Sequence, residues 1–156
     1  MPKTTFKVIR SELKVIMSRT FHASPERVFE VVADPKSVPH WWGPRGFEIV
    51  VDKMDVRKGG IWRYIVLDLE RNQHAFNGVY REVRAPNRLS YTFKVEGLPD
   101  DLESVETSTF EGVGEETKMT TTVEYKSLDN LDQVVSSGME ERIKESWDRL
   151  AELVES

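Results

Sequence analysis

A chain of 156 residues has room for one domain, since a single core usually serves roughly 100 to 200 residues. Its 38% hydrophobic and 31% charged residues exclude a disordered or fibrous chain, and 22 Lys and Arg against 27 Asp and Glu run against nucleic-acid binding, which draws on surplus cations. With no cysteine there is no disulfide, thiolate metal site or Cys nucleophile, which fits a cytoplasmic protein, and no stretch approaches the ~20 apolar residues of a membrane span. Residues 1–11 read as a lead segment, broken by charges and without the apolar run of a secretory leader, and 12–156 as a single domain.

From Leu13 to Phe21 polar and apolar residues alternate, as a half-buried strand requires. Ser24-Pro25-Glu26 then supplies a capping hydroxyl, a proline suited to the first helical position and an acid at the positive helix end. The helix carries Val28, Phe29, Val32 and Ala33 on its apolar face and stops at Asp34-Pro35. A short helix from Val38 to Trp42 follows. Alternation and turn residues then predict strands over Phe47 to Val56, Ile61 to Asp68, His74 to Val83, Arg88 to Val95, Glu103 to Glu111 and Thr117 to Tyr125. Connectors such as Lys58-Gly59-Gly60 and Gly112-Val113-Gly114 are short, so the strands form an antiparallel meander.

The last third changes period. Leu131, Val134 and Val135 begin a helix that Ser137-Gly138 interrupts, with Ser137 and Glu140 in a capping-box spacing. Met139, Ile143, Trp147, Leu150 and Val154 then mark the buried stripe of a long helix. Eight carboxylates and no Lys or Arg fall between Glu96 and Glu116, which reads as a solvated acidic hairpin.

The order of these elements, with Ala23 to Phe29, Asp34-Pro35, Trp41-Trp42-Gly43-Pro44, Gly59-Gly60, Gly78 to Val83 and Gly138-Met139, resembles the family of activator of Hsp90 ATPase homologues over about residues 12 to 154. The resemblance implies an α+β helix-grip fold of the START and Bet v 1 type. In that fold a curved antiparallel sheet of six to seven strands holds a long C-terminal helix, two short helices follow the first strand, and a cavity lies between sheet and helix. The same superfamily includes lipid carriers, polyketide cyclases and co-chaperone domains, so the fold does not by itself fix a function.

An interior of this kind is either filled by large side chains or left open to a guest. Trp41, Trp42, Trp62, Tyr64, Phe76, Tyr91, Phe93, Met139, Ile143 and Trp147 supply an apolar lining, and His74 is the best placed of three histidines to add a polar contact. Arg63 and Ser146 are further polar candidates. The primary expectation is binding of a small hydrophobic or aromatic molecule. A cyclase-like enzyme would need a proton-moving group inside the cavity, with His74 and Tyr64 as test positions; no carboxylate or Ser is placed to complete a dyad, so no catalytic residue is assigned. Hsp90-type co-chaperone work is the third reading, weakened because only the helix-grip part of the two-domain activator is represented. Metal-ligand spacings are missing, and neither metal nor cofactor is expected. Apolar residues on both faces of the His74 to Val83 strand, Phe76 and Tyr80 against Val79 and Val83, point to a homodimer.

Overall fold

In the computed structural model, which describes residues 3–156, the alternating segments form one antiparallel sheet of eight strands. These are β1 (Thr5–Ile9), β2 (Lys14–Phe21), β3 (Glu48–Met54), β4 (Ile61–Leu67), β5 (Gln73–Arg84), β6 (Arg88–Val95), β7 (Ser104–Val113) and β8 (Glu116–Glu124), in the spatial order β1-β2-β8-β7-β6-β5-β4-β3. The run from β3 to β8 is a meander, as short connectors dictate, and β2 closes onto β8 through eight register pairs from Lys14↔Glu124 to Phe21↔Thr117. The count exceeds the six to seven strands expected because Thr5–Ile9, assigned to a lead segment, pairs with β2 from Thr5↔Ser18 to Ile9↔Lys14. Lys7 interrupts its hydrophobic pattern, as suits an edge strand.

Helix α1 (Pro25–Val32) begins where its chemistry directs: Ser24 Oγ accepts from the Arg27 amide at 3.2 Å, with Pro25 in the first turn. Helix α2 (Val38–Trp41) is a single turn. Helix α3 (Leu128–Ser136) is capped by Ser127, whose Oγ accepts from the Asn130 amide at 3.1 Å, and α4 (Met139–Val154) follows after a break. The break is not the capping box expected of Ser137 and Glu140. Ser137 Oγ instead donates back to the Val134 carbonyl at 2.6 Å, and Gly138 at φ 93° turns the chain, a conformation that a side chain disfavours. No described helix is long and apolar enough to cross a membrane.

One face of the sheet packs against α1 and α4. Val15, Met17 and Phe21 of β2, Phe110 of β7, and Met119 and Val123 of β8 are buried there with Val28, Phe29, Trp147 and Leu150 of the helices. Phe29 meets Phe110 edge-on at 5.3 Å, and Phe21 lies 6.3 Å from Trp147. A register shift in β5 between Tyr80 and Glu82 changes which residues face inward. Val83 therefore pairs with buried Leu89 and joins the core, leaving only Val79, 41% exposed, of the two valines that suggested a second apolar face.

Candidate functional site

Period-two alternation sends Trp62 and Tyr64 of β4, Phe76 and Tyr80 of β5, and Tyr91 and Phe93 of β6 to the helix-facing side of the sheet. Tyr64 stands opposite Phe76 and Tyr80 opposite Tyr91, so the rings pack across strands. Trp62 is their centre, 4.7 Å from Tyr64, 5.8 Å from Tyr91 and 5.7 Å from Phe93 between ring centroids. Its indole can lie flat because its register partner is Gly78. Trp62 Nε1–H donates to the Thr92 carbonyl at 3.2 Å across the space that a side chain at Gly78 would fill. The β5–β6 register skips Gly78 and Val79, and the Val79 amide donates to Thr92 Oγ1 at 2.9 Å. Both substitutions satisfy groups that the interrupted ladder would otherwise leave unpaired.

Trp42 covers this aromatic patch. Helix α2 ends at Trp41, and Trp42 turns to an extended conformation (φ −72°, ψ 130°), so two adjacent tryptophans diverge. Trp41 goes to the core, while Trp42 is half-buried over Tyr64 (5.1 Å), Phe76 (5.4 Å) and Phe93 (6.5 Å). Helix α4 fixes the backbone beneath both rings. Ser146 Oγ donates to the Trp41 carbonyl at 3.0 Å and accepts from the Gly43 amide at 3.2 Å; Arg149 Nη1 donates to the carbonyls of Gly43 (2.8 Å) and Pro44 (3.2 Å). Ser146→Ala removes a donor and an acceptor together. It is expected to lower unfolding free energy by about 2 kcal/mol, read from the denaturant midpoint, whereas a change under about 0.5 kcal/mol would refute the clamp.

Beside the rings lies a buried acid. Glu106 of β7 is the register partner of Tyr91, whose hydroxyl donates to Glu106 Oε1 at 3.0 Å. Burial pushes the carboxyl up from 4.5 to about 7, against the opposing pull of the Tyr91 hydrogen bond. Glu106 forms no ion pair among the described residues. Burial also raises the hydroxyls of Tyr64, Tyr80, Tyr91 and Tyr125, with Glu106 adding to the rise at Tyr64, Tyr91 and Tyr125. Two of these hydroxyls donate to sulfur, a weak acceptor: Tyr64 to Met54 Sδ at 3.7 Å and Tyr125 to Met139 Sδ at 3.4 Å. Glu106 and Tyr91 are half-buried on the inner face of the sheet and keep some accessible surface, as do Phe76, Phe93 and Trp42. On β7 the residues two before and two after Glu106 are the small Ser104 and Ser108, both buried.

Of the residues expected in the lining, Trp62, Tyr64, Phe76, Tyr91 and Phe93 form this one group. Met139 approaches it through Tyr125, and Ile143 is half-buried one turn along α4. Trp41 and Trp147 lie in the core, Trp147 against Phe21. His74 sits at the exposed β4–β5 hairpin with Nε2 2.9 Å from Asp68 Oδ2. Arg63 lies on the outer face and pairs with Glu96 and Asp52. Trp42, expected in the lining, covers the rings, whereas Glu106 was absent from the expected lining. The signal that could have found Glu106 is its place as the charged member of the inward-facing series Ser104, Glu106, Ser108 and Phe110. A groove of about 560 Å³ lies on the opposite face of the sheet, along Arg81, Arg84, Arg88 and Thr107. Among the described residues no three His, Cys, Asp or Glu side chains are grouped to hold a metal.

The family model described as Activator of Hsp90 ATPase homolog 1-like protein matches residues 22–155. Among solved structures, protein Ms6760 from Mycobacterium smegmatis is 24% identical with a TM-score of 0.89, over 97% of this chain and 96% of that one. Protein CV1439 from Chromobacterium violaceum is 27% identical with a TM-score of 0.82, over 92% and 98%. The AHSA1 protein from Silicibacter pomeroyi is 23% identical with a TM-score of 0.75, over 90% and 96%. A search of curated proteins finds no match.

Proposed function

The chain belongs to the Activator of Hsp90 ATPase homolog 1-like family, whose fold is that of a ligand-binding domain, and we propose that it binds a small hydrophobic or aromatic molecule between the sheet and α4, in the cytoplasm. The observation that carries this reading is the set of rings, Trp42, Phe76, Tyr91 and Phe93, that keep accessible surface while facing the helices. A core closed for stability alone has no need of it. Trp42 is the movable wall: its side chain covers the rings, while Ser146 and Arg149 hold its backbone. Burying about 300 Å² of guest at ~25 cal/mol/Å² gives roughly 7 kcal/mol before the losses of association, so apolar contact alone supports at best micromolar affinity.

Titration with a hydrophobic dye tests the reading. Saturable 1:1 quenching of tryptophan fluorescence is expected, and Trp42→Ala is expected to tighten dye binding several-fold while lowering stability by about 2 kcal/mol. Failure of both proteins to bind dye saturably would remove the proposal. Weaker binding by a folded Trp42→Ala protein would make Trp42 a contact and not a cover.

A further inference from the structure

Resting on the binding site just proposed, we propose further that this site selects molecules carrying a protonated amine on an aromatic or aliphatic body, with Glu106 as the group that receives the amine. Glu106 projects from the middle of an apolar face, and only one of its oxygens is engaged: Oε1 accepts from Tyr91, while Oε2 makes no hydrogen bond among the described residues. Oε2 is also not among the fully enclosed unpaired polar atoms of the described residues, which are Thr4 Oγ1, Arg19 Nε and Trp41 Nε1. It is therefore an unengaged acceptor that keeps some accessible surface, and the neighbours on its own strand face, Ser104 and Ser108, are short.

The missing partner is a cation. The titratable groups around Glu106 are Tyr91 from β6, Tyr64 from β4 and Tyr125 just after β8; Tyr80 of β5 lies beyond them against Tyr91, and Arg142 of α4 is near Tyr125. Each tyrosine is raised by burial and stays neutral, and Arg142 is exposed and committed to the Ser137 carbonyl at 2.6 Å and Ser137 Oγ at 3.1 Å. A carboxyl so placed meets no internal counter-charge, and an ammonium group would supply one together with a charge-assisted hydrogen bond. The surrounding rings add to this preference. Trp62, Tyr64, Tyr80 and Tyr91 are linked by centroid distances of 4.7 to 6.1 Å, and aromatic faces attract an ammonium ion. An amine also explains why an acid belongs here at all, because an apolar guest would be served better by an apolar side chain.

A matched pair of probes tests this by calorimetric titration: 2-naphthylmethylamine, protonated throughout the range used, and the neutral 2-naphthylmethanol. At pH 8, where Glu106 is ionised, the amine is expected to bind about tenfold more tightly than the alcohol. The preference shrinks at pH 5.5, where Glu106 carries a proton, and is lost at both pH values in Glu106→Gln, which retains alcohol binding. Equal affinity for the two probes in the unmodified protein overturns the amine selection and leaves the hydrophobic site standing. Binding of neither overturns both. An amine preference that survives in Glu106→Gln overturns the role of Glu106. Tighter alcohol binding at pH 5.5 than at pH 8, with no amine preference, overturns the cation in favour of a guest that accepts the proton of the neutral acid.

Discussion

Glu106→Gln is expected to stabilise the protein at pH 8.5 by up to about 3 kcal/mol and to leave it nearly unchanged at pH 4. The folded carboxyl titrates near 7, whereas the unfolded one titrates near 4.5. Below 4.5 both forms carry the proton and the acid adds no pH dependence. Between 4.5 and 7 the folded state binds more protons than the unfolded state, so stability falls as pH rises through this window, and above 7 the loss is complete. Gln keeps an acceptor for the Tyr91 hydroxyl without placing a charge among the rings, so the loss disappears. Denaturant unfolding of both proteins at half-unit intervals from pH 4 to 8.5 reads this directly. Subtracting the curves removes every contribution that the two proteins share. A difference that stays flat across the range would show that Glu106 is solvated like a surface acid.

Gly78→Ala is expected to cost at least about 3 kcal/mol, the upper end of what overpacking and a lost buried hydrogen bond produce. An added Cβ would lie 1.8 Å from the Thr92 carbonyl oxygen and 2.5 Å from Trp62 Nε1, and the first of these is backbone that cannot turn aside. The Trp62 indole must therefore leave its carbonyl partner or β5 must part from β6. Val79→Ala, at the neighbouring exposed position, is the control, with an expected change under about 0.5 kcal/mol. A chemical-denaturation midpoint for Gly78→Ala equal to that of the control would mean that the strands accommodate the methyl and that Trp62 does not depend on the glycine.

Most elements were legible because their signals are local. The alternation of Arg88 to Val95 and the Ser24-Pro25-Glu26 cap each specify their own geometry, and β6 and α1 appear where those residues place them. Register shifts carry no such signal. The shifts between Val51 and Lys53 and between Tyr80 and Glu82 exist only relative to a partner strand, and the second reassigns Val83 from the outer face to the core. The aromatic half of the site followed from period two. The placing of Trp42 over the rings and the inward turn of Glu106 did not, for different reasons. Trp42 depends on where a one-turn helix stops, a boundary set by tertiary contacts to Ser146 and Arg149 a hundred residues away. Glu106 was hidden by averaging over its acidic neighbours. Asp100 pairs with Lys94 and Glu96 with Arg63 at the surface, while the alternation of β7 carries Glu106 alone among them inward.

The tie between α4 and the segment from Trp41 to Pro44 also bears on how fast the proposed site would exchange a guest. Because the peptide groups on either side of Trp42 are pinned, uncovering the rings is a matter of torsion about two side-chain bonds and not of swinging a flap. Rotamer changes of exposed side chains take picoseconds to nanoseconds and hinged segments microseconds to milliseconds, and a half-buried ring packed on three others is slower than the first without needing the second. A guest would then be admitted at a rate governed by encounter and desolvation, and its residence would be decided by how well it fits and not by the tempo of a gate.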